Sequence, residues 1–249
     1  MSTEELRVRV GETEYLEVDP QHVASSRFGD FYSHPDFPDR FDANQLCRVR
    51  CGRDQVPTML EELDALYRPT GLDYRKVSGY DAEVWGHLRA HLHELGWATW
   101  TTRLLLHRAA PTLEANPDVK VVAVSADSAD LESFYRTESG LDRGFELARS
   151  QAARMGGEYL VAYLSGEPAG CTGWFSRKGV ARFRHVLTAQ AFRGRGVATT
   201  LIRHVQQHPD VVACDALAIM VGEDGPGVLY ERLGFRDVME FWEAKHPPG

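Results

Sequence analysis

Along the second half of the chain, apolar and polar positions alternate, switch to helical spacing, and then alternate again. Val119–Ala126 (VKVVAVSA) is a β-rich run. The spacing after it predicts one helix around Asp130–Thr137 and another over Asp142–Met155, where Phe145, Leu147, Ala148, Ala152 and Met155 share a face. Tyr159–Leu164 reads as a strand closed by a Ser165-Gly166 turn, and Ala169–Ser176 and Val180–Ala189 as two more, joined at Arg177-Lys178-Gly179. Thr199–Gln207 predicts a helix with Leu201, Ile202 and Val205 on one side, ended by Pro209-Asp210. A buried strand (Leu217–Val221), a short helix (Val228–Leu233) and a last strand (Val238–Ala244) complete the pattern. Gly234 stops the short helix, because a residue without Cβ takes the left-handed exit conformation at little cost.

The first half repeats the later part of this order. VPTMLEELDALY, DYRKVSG, LHELGW and TWTTRLLLHR run helix, strand, helix, Gly-aromatic, strand, as do VATTLIRHVQQ, ALAIMV, LYERLGF and EFWEA. The glycine of the Leu-Gly-aromatic triplet lies 37 residues after Val197 and 40 after Val56. Duplication of one α/β unit explains both halves. The proline-bearing stretch Ala109–Asp118 separates them, giving expected domains at 1–115 and 118–249.

Composition narrows the function classes. Apolar residues make up 43% of 249 and charged residues 26%, enough for a core, and no run of 18 apolar residues suggests a membrane span. The charged N-terminal segment shows no apolar signal core, and the four cysteines match no disulfide or zinc spacing, so a cytoplasmic protein without metal is expected. A net charge of -8 argues against a nucleic-acid partner. The charge is uneven: between Glu167 and Asp210 no acid occurs, yet Arg177, Lys178, Arg182, Arg184, Arg193, Arg195 and Arg203 do, which suggests an anion site. His87, His91 and His93 lack a complete ligand set and fit an exposed helix face, and Cys171 fits a buried strand position better than a nucleophile.

The densest chemical signal is Val186–Leu201, where a strand runs through a Gly-rich turn, Arg193-Gly194-Arg195-Gly196, straight into a helix. Glycines let backbone N–H groups approach a ligand, and the first amides of a helix lack internal acceptors and sit at its positive end. That is a phosphate cradle, with Arg193 and Arg195 as charge-assisted donors. No Gly-Lys-Ser/Thr triplet makes it a P-loop, and Thr199 occupies the third glycine position of a dinucleotide fingerprint.

Arg193, Gly196 and Ala198 match Arg/Gln-x-x-Gly-x-Gly/Ala, the pyrophosphate-binding motif of the GNAT acetyltransferase superfamily, and LYERLGF follows at the family's distance. From Val119 to about Lys245 the chain resembles that superfamily. The resemblance implies an α+β fold with an α/β-type mixed sheet and helices on both faces, in two tandem GNAT-like domains. It also implies acetyl-CoA as co-substrate. Carried over, Val186, Leu187 and Thr188 offer backbone groups to the pantetheine arm. The loop Arg193, Gly194, Arg195, Gly196, Val197 and Ala198 holds the pyrophosphate, with Thr199 beside it. Tyr230 matches the position of a general acid for the departing thiolate. The family's strand glutamate is missing. His185 is then the titrating candidate on that strand, and Glu223 and Asp224 are alternative bases or amine-docking acids. The aligned loop of the first half, Gly52–Pro57, puts Gln55 for the glycine, Asp54 for an arginine and Pro57 among the helix-start residues, so that half is expected to hold no coenzyme A.

The expected function is acetyl transfer from acetyl-CoA to a primary amine of a small molecule, by direct attack in a ternary complex, in a monomer or homodimer. The alternatives are a non-catalytic acyl-CoA sensor or interaction module, and a peptide or protein N-terminal acetyltransferase.

Overall fold

The computed structural model of the protein describes residues 3–18, 22–137 and 157–247, so the helix expected over Asp142–Met155 lies outside the described residues. The first part of the chain gives α1 (Thr3–Val18), β1 (His22–Ser26), β2 (Gly29–Ser33), β3 (Gln45–Cys47), α2 (Val56–Tyr67), β4 (Arg75–Gly79), α3 (Ala82–Glu94) and β5 (Ala98–His107). The second gives β6 (Val119–Val124), α4 (Ala129–Thr137), β7 (Glu158–Leu164), β8 (Glu167–Arg177), β9 (Val180–Thr188), α5 (Val197–Gln206), α6 (Pro209–Val212), β10 (Ala216–Gly222), α7 (Gly227–Arg232) and β11 (Phe235–His246).

The chain forms two compact units: residues 1–13 with 105–238, and residues 14–104 with 239–249. The sequence reading placed its boundary at 115–118, in a proline-bearing loop. The compact units instead divide inside β5 and β11, within strands rather than in a loop, which no loop signal marks.

In the unit of residues 14–104 and 239–249, β1, β2, β3, β4 and β11 follow one another across the sheet. Here β3 and β4 are parallel, and Trp242–His246 of β11 pairs antiparallel with Arg75–Gly79. Leu63, Tyr67, Val77, Leu88 and Leu92 fill the core. Trp242 stacks on Trp85 with centroids 5.0 Å apart, and its indole N–H donates to Asp81 O at 3.0 Å. A Cβ on Gly79 would stand 2.5 Å from Cζ2 of Trp242. Gly79→Ala is therefore expected to destabilise the protein by about 2–3 kcal/mol, read as a lower urea midpoint with an unchanged slope. Lys76 is fully buried between the carboxylates of Asp42 and Glu243. Burial alone would lower the pKa of its ammonium; the two carboxylates outweigh that and hold it raised.

In the unit of residues 1–13 and 105–238 the order is β10-β9-β8-β7-β6, with β6 to β9 antiparallel and β9 parallel to β10. Two irregularities shape this sheet. Cys171 pairs with Leu187 but Gly173 with Arg184, so Thr172 of β8 faces two residues of β9, a bulge that re-aims the end of β9. The Thr172 hydroxyl donates to Arg184 O at 3.0 Å across it. The second irregularity is where the parallel ladder stops. It joins Val180–Arg182 to Ala216–Ala218, with no later pair among the described residues, although β9 continues to Thr188 and β10 to Gly222. Both strands therefore carry backbone groups beyond their shared ladder. Helix α5 packs on this sheet through Val197, Leu201, Ile202 and Val205, each buried and contributing about 1.5–3 kcal/mol. Gly170 makes the approach possible, since a Cβ there would lie 2.7 Å from Val197 Cγ1. Among the described residues no helix is long and apolar enough to cross a membrane.

Candidate functional site

The turn between β9 and α5 owes its shape to two glycines. Gly194 has φ 76° and Gly196 φ 80°, in the left-handed region where an L side chain is strained. Gly196 caps α5, which starts at Val197, two residues before the expected Thr199, and no side chain caps it. The amides of Val197, Ala198 and Thr199 thus begin the helix without an i−4 carbonyl. A Cβ on Gly194 would meet nothing within 4 Å, so the outer side of the turn is open.

This turn forms one wall of a cleft of about 760 Å³. Val186, Leu187, Thr188, Arg193, Gly194, Gly196, Val197, Ala198, Thr199 and Tyr230, all expected at the site, line it together. Arg195, His185 and Glu223 are not among its lining residues. The Arg195 guanidinium lies 5.4 Å from the centre of the Phe192 ring. His185 is exposed and meets Tyr135 edge-on, at 5.4 Å between ring centres. Asp224, next to Glu223, does line the cleft, as do Pro226 and Arg232. Sequence reasoning missed Arg232, and of Asn116, whose side-chain amide donates to Arg195 O at 2.8 Å, only the turn character was visible. The basic run disperses. Arg182 and Arg184 are buried on β9, Arg184 donating to the Tyr159 hydroxyl at 2.9 Å, and of the seven only Arg193 reaches the cleft wall.

Tyr230 is 6% exposed, with its ring edge-on to Phe235, and its hydroxyl makes no hydrogen bond to a described residue. Burial pushes its pKa up to about 12. The segment Glu223–Gly227 closes as a tight turn, Gly225 N–H donating to Gly222 O at 3.0 Å, so that Pro226 precedes α7 and Tyr230 falls one turn inside. Cys171 is 1% exposed and burial pushes its thiol up to about 12, so it stays a core thiol rather than a nucleophile. Among the described residues no group of three His, Cys, Asp or Glu is placed to hold a metal.

Residues 155–237 match the family described as acetyltransferase (GNAT) domain. That third of the chain is similar to a GNAT acetyltransferase domain. Parallel β9 and β10, parting after a short ladder, and the Gly turn leading into α5 lie within the matched residues. Solved structures of similar fold extend the likeness to both units. A GCN5-related N-acetyltransferase from Kribbella flavida superposes with a TM-score of 0.72 at 18% identity, covering 98% of this chain and 95% of that one. A functionally unknown conserved protein from Staphylococcus epidermidis ATCC 12228 gives 0.73 at 14% identity, over 92% and 94%. A GCN5-related N-acetyltransferase from Sphaerobacter thermophilus gives 0.59 at 16%, over 90% and 74%. At these identities the shared property is the fold.

Proposed function

We propose that the protein is an acetyl-CoA-dependent N-acetyltransferase acting on a primary amine of a small molecule, with the cleft beside α5 as its coenzyme site. The observation that carries this reading is the joining of a helix-start cradle to a buried phenol in one cleft of the GNAT domain.

The residues present fit coenzyme A. Uncapped amides at the start of α5 and the open side of Gly194 suit a diphosphate, with Arg193 as cation. The Thr188 hydroxyl oxygen is buried in the cleft wall without a partner among the described residues, and β9 beyond its ladder has backbone groups for the amides of a pantetheine arm. Bound there, acetyl-CoA supplies an activated acetyl thioester. Tyr230, too weakly acidic to ionise near neutral pH, presents its O–H to the charge that develops on a leaving sulfur. Asp224, with Glu223 beside it, docks the cationic amine, which sheds its proton to one of these carboxylates or to water before it attacks.

The N-terminal unit repeats the element order without the cradle, and we read it as a degenerate GNAT-like copy. Gln55 stands in the right-handed helical region, where Gly196 is left-handed, and its side-chain oxygen accepts the Gly52 N–H at 3.0 Å. The loop thereby satisfies its own donor, and Pro57 removes another.

A pH profile tests the role of Tyr230. Burial disfavours its ionised form, so the proton is held more tightly when folded than at the ordinary tyrosine value near 10, and remains bound up to about pH 12. With the acceptor amine deprotonating, kcat/KM is expected to rise with pH and then stay flat to pH 10. A falling limb centred near pH 8 would contradict a phenol as donor.

A further inference from the structure

Resting on the coenzyme A reading above, we propose that Asn116 is a positioning residue that aims the diphosphate-binding amides of the Gly196 turn. Asn116 lies 79 residues before Arg195 in sequence, yet its Nδ2 donates to Arg195 O at 2.8 Å. Its own N–H donates to the Thr200 hydroxyl at 2.9 Å, and that hydroxyl donates to Gly196 O at 3.0 Å, a carbonyl that also receives the Thr200 N–H at 2.9 Å. Both carbonyls flanking Gly196 are therefore held. In a planar trans peptide the carbonyl and the following N–H point in opposite directions. Fixing Arg195 O toward Asn116 turns the Gly196 N–H away from it, and fixing Gly196 O forward along α5, toward Thr200, turns the Val197 N–H out of the helix start. Gly196 and Val197 both line the cleft.

Asn116 is itself immobilised, which lets it act as a bracket. Its Oδ1 accepts the Asp118 N–H at 2.9 Å and its carbonyl accepts the Val119 N–H at 3.1 Å, tying it to the start of β6. The side chain also packs against the bare face of Gly196, where a Cβ would stand 3.1 Å from Asn116 Cβ. Rigid, pre-aimed donors spare a ligand the cost of ordering the loop, and that is where the effect on affinity arises.

The test compares wild type, Asn116→Ala, Thr200→Val and Thr200→Ser with two acetyl donors: acetyl-CoA, and an acetyl-pantetheine thioester that lacks the diphosphate. Asn116→Ala is expected to raise the acetyl-CoA Kd and KM about tenfold with kcat unchanged, the loss of about one well-placed hydrogen bond. Its kcat/KM for the pantetheine thioester is expected to stay within about twofold of wild type. Thr200→Val should follow Asn116→Ala, and Thr200→Ser, which keeps the hydroxyl, should return to wild type; this pair carries the same test if Asn116→Ala does not fold. Equal losses with both donors, or an unchanged acetyl-CoA Kd, would overturn the proposal while leaving the function standing. A wild-type protein that binds no acetyl-CoA overturns both.

Discussion

Replacing Tyr230 by Phe is expected to lower kcat by about 10²–10³-fold while leaving the Kd of acetyl-CoA within about twofold. The ring fills a well-packed place beside Phe235, and phenylalanine keeps that volume. The hydroxyl makes no hydrogen bond to a described residue, so removing it breaks no network and costs little stability. What disappears is an O–H held neutral by burial, in a cleft whose wall also carries the Gly196 turn and Arg193. The effect falls on turnover because charge on the sulfur develops only as the thioester breaks. Thiol-release kinetics with a reactive amine, paired with direct binding, separate the two quantities. Unchanged kcat would remove Tyr230 from the chemistry, and a lost Kd would make it a binding residue.

Gly196→Glu is expected to weaken acetyl-CoA binding by more than about a hundredfold, through three effects that act together. A side chain at φ 80° strains the turn by about 1–2 kcal/mol. Its Cβ meets Asn116 Cβ at 3.1 Å and pushes on the bracket that holds Arg195 O. The added carboxylate lies at the helix start, where it competes with a phosphate for the same amides. Most of the packed side of α5 is untouched, since Leu201, Ile202 and Val205 lie beyond the first turn and only Val197 adjoins the change, so the thermal midpoint should fall by only a few degrees.

How much of this was legible in the sequence differs from residue to residue. Helical spacing located α5, the repeated element order placed α2 and α3, and Gly234, at φ 88°, marked the exit of α7. The Gly turn was legible because its chemistry is local: consecutive residues supply both the bend and the amides. Where the sheet opens was not legible. Alternation tells which face a residue takes but not where a ladder ends, and nothing in Val180–Thr188 announces that pairing with β10 stops after Arg182. The bulge at Thr172 escaped for the same reason. Asn116 read as a loop residue because its partners lie 79 and 84 residues away. The run of arginines suggested more than it delivered: strand periodicity put Arg182 and Arg184 on one face of β9, where both are buried. The unit boundary escaped because the contact of Gly79 with Trp242 joins the first third of the chain to its last residues.

The measurement that bears most directly on the account is calorimetric titration of the wild-type protein with acetyl-CoA, run beside the Gly196→Glu variant. Micromolar binding to wild type, lost in a variant that remains folded, is the expected result. No heat and no thermal shift with acetyl-CoA, or equal binding to both proteins, would contradict a coenzyme site at the start of α5.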